Sequence, residues 1–94
     1  MLTKTYLAAL AEQYTEFTQG RQHPKLQQLN AWGKQRYFLA KYFDVVEESY
    51  ERQQIVLRHQ QHYVELNLAE APDFMEKTAY LSWLRQQLEA STLV

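Results

Sequence analysis

Between Pro24 and Pro72 the chain holds a single glycine, Gly33, and little else that obliges a helix to stop. A run this long without breakers constrains the whole fold, because it reads as helix and leaves the flanking segments to pack against it. Its charges are sorted along the chain. Arg21, Lys25, Lys34, Arg36 and Lys41 occur with no acid among them, and Asp44, Glu47, Glu48 and Glu51 follow with no base.

Leu29, Trp32, Leu39, Phe43, Val46, Tyr50, Leu57 and Val64 fall on a pattern of seven, with Arg36, Gln53 and Gln60 filling the remaining seam positions. Held throughout, that repeat describes one helix over 24–69, roughly 70 Å long at about 1.5 Å per residue. The alternative breaks the chain near Phe43, where Asp44 and Glu47 have capping-box spacing, and folds two helices into a hairpin. In the hairpin, Lys34 or Lys41 sits across from Glu47, Glu48 or Glu51. In the long helix, the basic and acidic halves pair with an antiparallel copy of the same chain.

The flanks read as helix too. Thr3 or Thr5 can cap a first helix whose Leu7, Leu10, Tyr14 and Phe17 recur at three and four, with Gly20 placed to close it and Pro24 to open the next. Asp73 and Glu76 repeat the box spacing ahead of Phe74, Met75, Leu81, Leu84 and Leu88, and the end from Ser91 is expected to fray. No alternating β-branched run and no Asn-Gly or Asp-Gly turn signals a strand. The predicted fold is therefore all-α: one domain over 1–94, a bundle of three to four helices at about 3–18, 24–43, 45–69 and 73–90, or the form with 24–69 as a single helix.

Composition narrows the function classes. The absence of cysteine removes disulfides, thiolate nucleophiles and thiolate metal sites, and fits a reducing cytoplasm. A formal charge of −1 gives no global attraction to nucleic acid or anionic lipid. The start of the chain, with its short apolar run interrupted by Thr3, Lys4 and Thr5, matches neither a signal peptide nor a membrane span, so the expected location is cytoplasmic with no membrane partner.

Candidate chemistry is sparse. His59 and His62, at i and i+3 of the predicted helix with Glu65 one turn on, could face one metal ion, but the Glu-x-x-His and His-Glu-x-x-His patterns are absent, and a solvated pair is the simpler reading. Neither Ser49, Ser82 nor Ser91 lies in a nucleophile turn, and two glycines do not make a phosphate loop. The acidic cluster Glu47, Glu48 and Glu51 reads as an exposed face. No catalytic residue, metal or cofactor is assigned, and the chain is expected not to be an enzyme.

Two binding readings remain. Seven tyrosines, four phenylalanines and two tryptophans exceed what one helical seam can bury, and Val45, Ile55, Val56, Tyr63 and Leu66 lie off the main stripe, as a second apolar face would. Such a face suits a protein partner, either a second copy or a larger assembly, and the predicted role is adaptor, regulator or inhibitor. Its predicted contact residues are Phe38, Tyr42, Tyr63 and Arg58, with Lys34 and Lys41 setting electrostatic fit. The second reading is single-stranded nucleic-acid binding by segment 21–43, where cations alternate with Trp32, Tyr37, Phe38, Tyr42 and Phe43.

Overall fold

The computed structural model describes residues 2–19 and 28–91. The order of elements is α1 (Lys4–Gln19), α2 (Ala31–Tyr42), β1 (Asp44–Ser49), β2 (Gln54–His59), β3 (His62–Asn67), a 3₁₀ turn at Leu68–Glu70, and α3 (Lys77–Ser91). The fold is α+β. It corrects the predicted all-α helical bundle, because the stretch read as helix over 45–69 is a three-stranded antiparallel sheet ordered β1-β2-β3.

The local chemistry explains the change. Ile55, Leu57 and His59 on β2, and Val64 and Leu66 on β3, are all buried and all recur at period two, with Val56, Arg58 and Glu65 between them. Leu57 and Val64 are seven apart, which mimics a heptad, but they are direct cross-strand partners. The same spacing that stacks two residues on a helix also spans a tight hairpin. Gln60 and Gln61 form its turn with φ of 50° and 70°, so both occupy the left-handed region that a two-residue hairpin demands. Glutamine is an unusual occupant, since a left-handed L-residue costs about 1–2 kcal/mol.

The link from β1 to β2 also uses a left-handed glutamine. Gln53, at φ 54°, donates its N–H to the Tyr50 carbonyl at 3.1 Å and accepts from Leu68 N–H at 2.7 Å, tying this turn to the end of β3.

The helices keep some of the predicted caps. The Thr3 hydroxyl accepts from Tyr6 N–H at 3.0 Å and opens α1. α2 is opened by Asn30, whose side-chain oxygen accepts from Gly33 N–H at 2.7 Å, rather than at Pro24. It stops at Tyr42, where Phe43 turns extended and donates its N–H to the Leu39 carbonyl at 2.8 Å, so no single helix runs through 24–69. α3 starts at Lys77, and Asp73 instead accepts from Met75 N–H at 3.0 Å in the turn before it. The expected helix end at Gly20 and restart at Pro24, with Arg21 and Lys25, lie outside the described residues, as do 92–94.

One core joins these elements. Leu10, Tyr14 and Phe17 from α1, Phe38 and Leu39 from α2, and Tyr80, Leu84 and Leu88 from α3 close over the inner sheet face of Ile55, Leu57, Val64 and Leu66. At its centre the Phe38 ring lies 5.5 Å from Phe17 and from Phe74 and 6.0 Å from Tyr14, and the Tyr14 hydroxyl donates to the Phe74 carbonyl at 2.6 Å. Such ring pairs add about 0.5–1.5 kcal/mol each beyond their area burial. The aromatic surplus that suggested a second binding face is largely absorbed here.

Candidate protein-interaction surface

The cross-strand register sorts the sheet into two faces. Glu48–Ile55–Leu66 and Val45–Leu57–Val64 are rows of the inner face, under the helices. Asp44–Arg58–Tyr63, Glu47–Val56–Glu65 and Ser49–Gln54–Asn67 are rows of the outer face, which no described helix covers. Tyr63 is 67% exposed, the most open large hydrophobic residue of the described chain, and Arg58 beside it is held by Asp44 at 2.7 Å. The ion pair is solvent-exposed and contributes only about 0–1 kcal/mol, so it orients Arg58 more than it stabilises the sheet.

Of the predicted contact residues, the structure brings Arg58 and Tyr63 together as direct partners across β2 and β3. It separates the others from them. Phe38 corrects its reading as a contact residue, since it is fully buried. Tyr42 is half-buried with its ring 5.3 Å from Phe38 and its hydroxyl enclosed without a hydrogen-bond partner among the described residues, and that enclosure, then Glu16, raises the phenol pKa. Lys34 and Lys41 lie on α2, with the Lys41 ammonium 5.5 Å from the Tyr42 ring centroid. The sorted charges meet between helix and strand, not between two helices: Arg36 Nε donates to both carboxylate oxygens of Glu48 at 3.1 and 3.0 Å.

The histidine cluster comes apart. His59 and His62 are the pair that closes the β2–β3 turn, with His59 buried against Tyr6 and Phe43 and His62 exposed, whereas Glu65 points to the outer face. Burial, then the neighbouring His62, lowers the His59 pKa. Among the described residues no group of three His, Asp or Glu side chains is placed to hold a metal ion.

The two edges of the sheet differ in what protects them. On β1 the register slips between Val45 and Glu47, leaving Val46 as a bulge, and α2 leans on the strand through Arg36–Glu48 and on the turn after it through Trp32, whose ring lies 5.5 Å from Tyr50. β3 runs six residues in unbroken register, without proline, lysine or bulge. Because the two-residue turn makes His59 and His62 a hydrogen-bonded pair, residues 62, 64 and 66 bond toward β2, and Tyr63, Glu65 and Asn67 turn their N–H and C=O groups to the open side. No further strand of the described chain takes them up. Sequence reasoning missed this edge; the alternation Val64, Leu66, Leu68 about Glu65 and Asn67 is the signal that marks it.

A groove of about 300 Å³ between α1 and α3 is a weaker candidate. Leu7, Leu10, Ala11 and Leu81 line it, but its cations are engaged, Lys77 with the Thr15 hydroxyl at 2.8 Å and Arg85 with Glu89 at 3.2 Å. No helix among the described residues is long and apolar enough to cross a membrane. No protein-family model, curated protein or solved structure matches the chain.

Proposed function

We propose that this chain is a non-enzymatic protein–protein interaction module, an adaptor, regulator or inhibitor, that takes up a strand of its partner along β3. The observation that carries the reading is the open β3 edge: a strand in unbroken register whose outward backbone groups bond to no other described strand, flanked by the exposed Tyr63 and the oriented Arg58. An unguarded edge of this kind is a template for strand addition, in which main-chain hydrogen bonds supply affinity and alternate side chains supply selectivity. Tyr63 adds a large contact area with a polar tip. Its cysteine-free composition suits a cytoplasmic setting.

The basic-aromatic segment offers less to single-stranded nucleic acid. Phe38 is in the core, Tyr42 and Phe43 pack against it, and Trp32 stacks on Tyr50, so few of the interleaved rings present a face to bases.

The test uses Glu65→Pro. Proline there deletes an N–H that points to the open side, so the monomer keeps its ladder while the edge loses a donor. Affinity capture with the wild-type chain should return a defined protein that Glu65→Pro, at an unchanged melting temperature, does not. Equal capture by both chains would remove β3 from the reading.

A further inference from the structure

We infer that the β3 edge pairs with the β3 edge of a second copy of this chain, in one register centred on Val64, to build a continuous six-stranded antiparallel sheet across a two-fold axis. This rests on the reading of β3 as a docking edge and names its occupant.

The register follows from hydrogen-bond phase and charge. Only Tyr63, Glu65 and Asn67 direct backbone groups outward, so in an antiparallel self-pairing these residues must form the hydrogen-bonded pairs. Two arrangements keep the greater part of β3 paired. Centring on Glu65 sets Glu65 directly opposite Glu65 of the second copy, a like-charge pair that opposes association. Centring on Val64 instead sets Tyr63 opposite Glu65 of the second copy, and by symmetry Glu65 opposite its Tyr63. Each phenol hydroxyl can then donate to a carboxylate. Centring on Tyr63 or on Leu66 leaves a shorter overlap, because pairing runs into the Gln60–Gln61 turn on one side and the 3₁₀ turn from Leu68 on the other.

The chosen register is consistent on both faces. On the outer face, the row Asp44–Arg58–Tyr63 is extended by an acid, which places the ring between a guanidinium on its own strand partner and a carboxylate across the axis. On the inner face, Val64 and Leu66 are already buried under the helices of their own copy, so the contact between copies is made by the strand backbones and the outer-face side chains, with the exposed His62 at its rim. The interface is isologous, as a two-fold contact must be. It comprises about four backbone hydrogen bonds and a narrow strip of side chains, well short of the roughly 1,600 Å² of a standard stable interface, so the dimer is reversible and concentration-dependent.

Sedimentation equilibrium of the full chain tests this over roughly 10 μM to 1 mM, the range expected of a small, weak interface. The wild-type mass should rise from 11.3 kDa toward that of a dimer. Tyr63→Glu, on an exposed site, should weaken association about tenfold or more by creating two like-charge pairs. Tyr63→Lys should associate at least as tightly as wild type, and Glu65→Pro should stay monomeric throughout. A wild-type chain that is monomeric at every concentration overturns the inference, and if it still captures a protein that Glu65→Pro loses, the docking edge itself stands. Dimerisation that survives Tyr63→Glu undiminished overturns the register. Dimerisation that survives Glu65→Pro overturns both the inference and the edge reading.

Discussion

The two edges of one small sheet are built to opposite ends. β1 carries Asp44, Glu47 and Glu48 in six residues, a bulge at Val46, and a helix tied to its side by Arg36–Glu48, each a known way to keep an edge from pairing. β3 carries a single carboxylate, Glu65, and no bulge, and α3 packs against it through the buried inner face of Val64 and Leu66. The difference teaches where to look for a partner. The chain spends its acidic residues where pairing would be harmful and leaves the other side open.

The largest effect expected from breaking this comparison lies beneath it. Leu66→Ala, on the buried inner face of β3, should destabilise the fold by about 2–5 kcal/mol in chemical denaturation. Val46→Ala, on the half-exposed bulge of β1, should stay within about 0.5 kcal/mol of wild type. Equal losses at the two sites would mean that β1 is as deeply anchored as β3.

A smaller gain is expected at the turn that fixes the phase of β3. Replacing Gln60 and Gln61 by Asn and Gly should stabilise the hairpin by about 1–2 kcal/mol, because these residues take the left-handed region at lower cost. A loss instead would show that the glutamine side chains are needed there, and the assignment of outward groups to Tyr63, Glu65 and Asn67 would need revision.

The closing pair of the hairpin gives a pH dependence of smaller size. Buried His59 has a folded pKa below its ordinary 6.5, so as pH falls past that value the unfolded chain takes up the proton first. Stability should therefore be level above the ordinary value, fall as pH drops from it to the lowered folded pKa, and level off again below. Thermal unfolding across this window checks it. The dependence should be lost in His59→Phe and only partly reduced in His62→Gln, because burial is the larger cause of the lowered pKa and His62 the smaller.

A small, salt-sensitive effect belongs to the outer-face ion pair. Asp44→Asn should cost no more than about 1 kcal/mol, and the loss should diminish with added salt. A larger cost would imply that Arg58 does more than flank Tyr63.

The helical parts of the fold were legible because their signals are local. Thr3 and the three-four spacing of Leu7, Leu10, Tyr14 and Phe17 announce α1, and Leu81, Leu84 and Leu88 announce α3. The end of α2 beside Asp44 was legible as a break, but not as a passage into strand. The sheet was hidden by a coincidence of spacing. Leu57 and Val64 satisfy a heptad and a hairpin alike, and the turn between them carries glutamines where the usual Asn-Gly signal would have exposed it. Of the candidate surface, the sequence marks Arg58 and Tyr63 as contacts on a helix and Glu65 only as a possible metal ligand.

What the residues alone determine is a small, cysteine-free chain rich in aromatic residues, with two amphipathic flanking helices and a charge sequence that changes sign near Asp44. What only the tertiary structure decides is which period the middle of the chain obeys. Apolar residues that satisfy both periods are read one way or the other by what they pack against. Here α1, α2 and α3 supply a single apolar surface, and residues at 55, 57, 64 and 66 can all meet it at once only when they alternate on a sheet. That choice creates the open edge as its by-product, because a three-stranded sheet has two edges and this chain guards one.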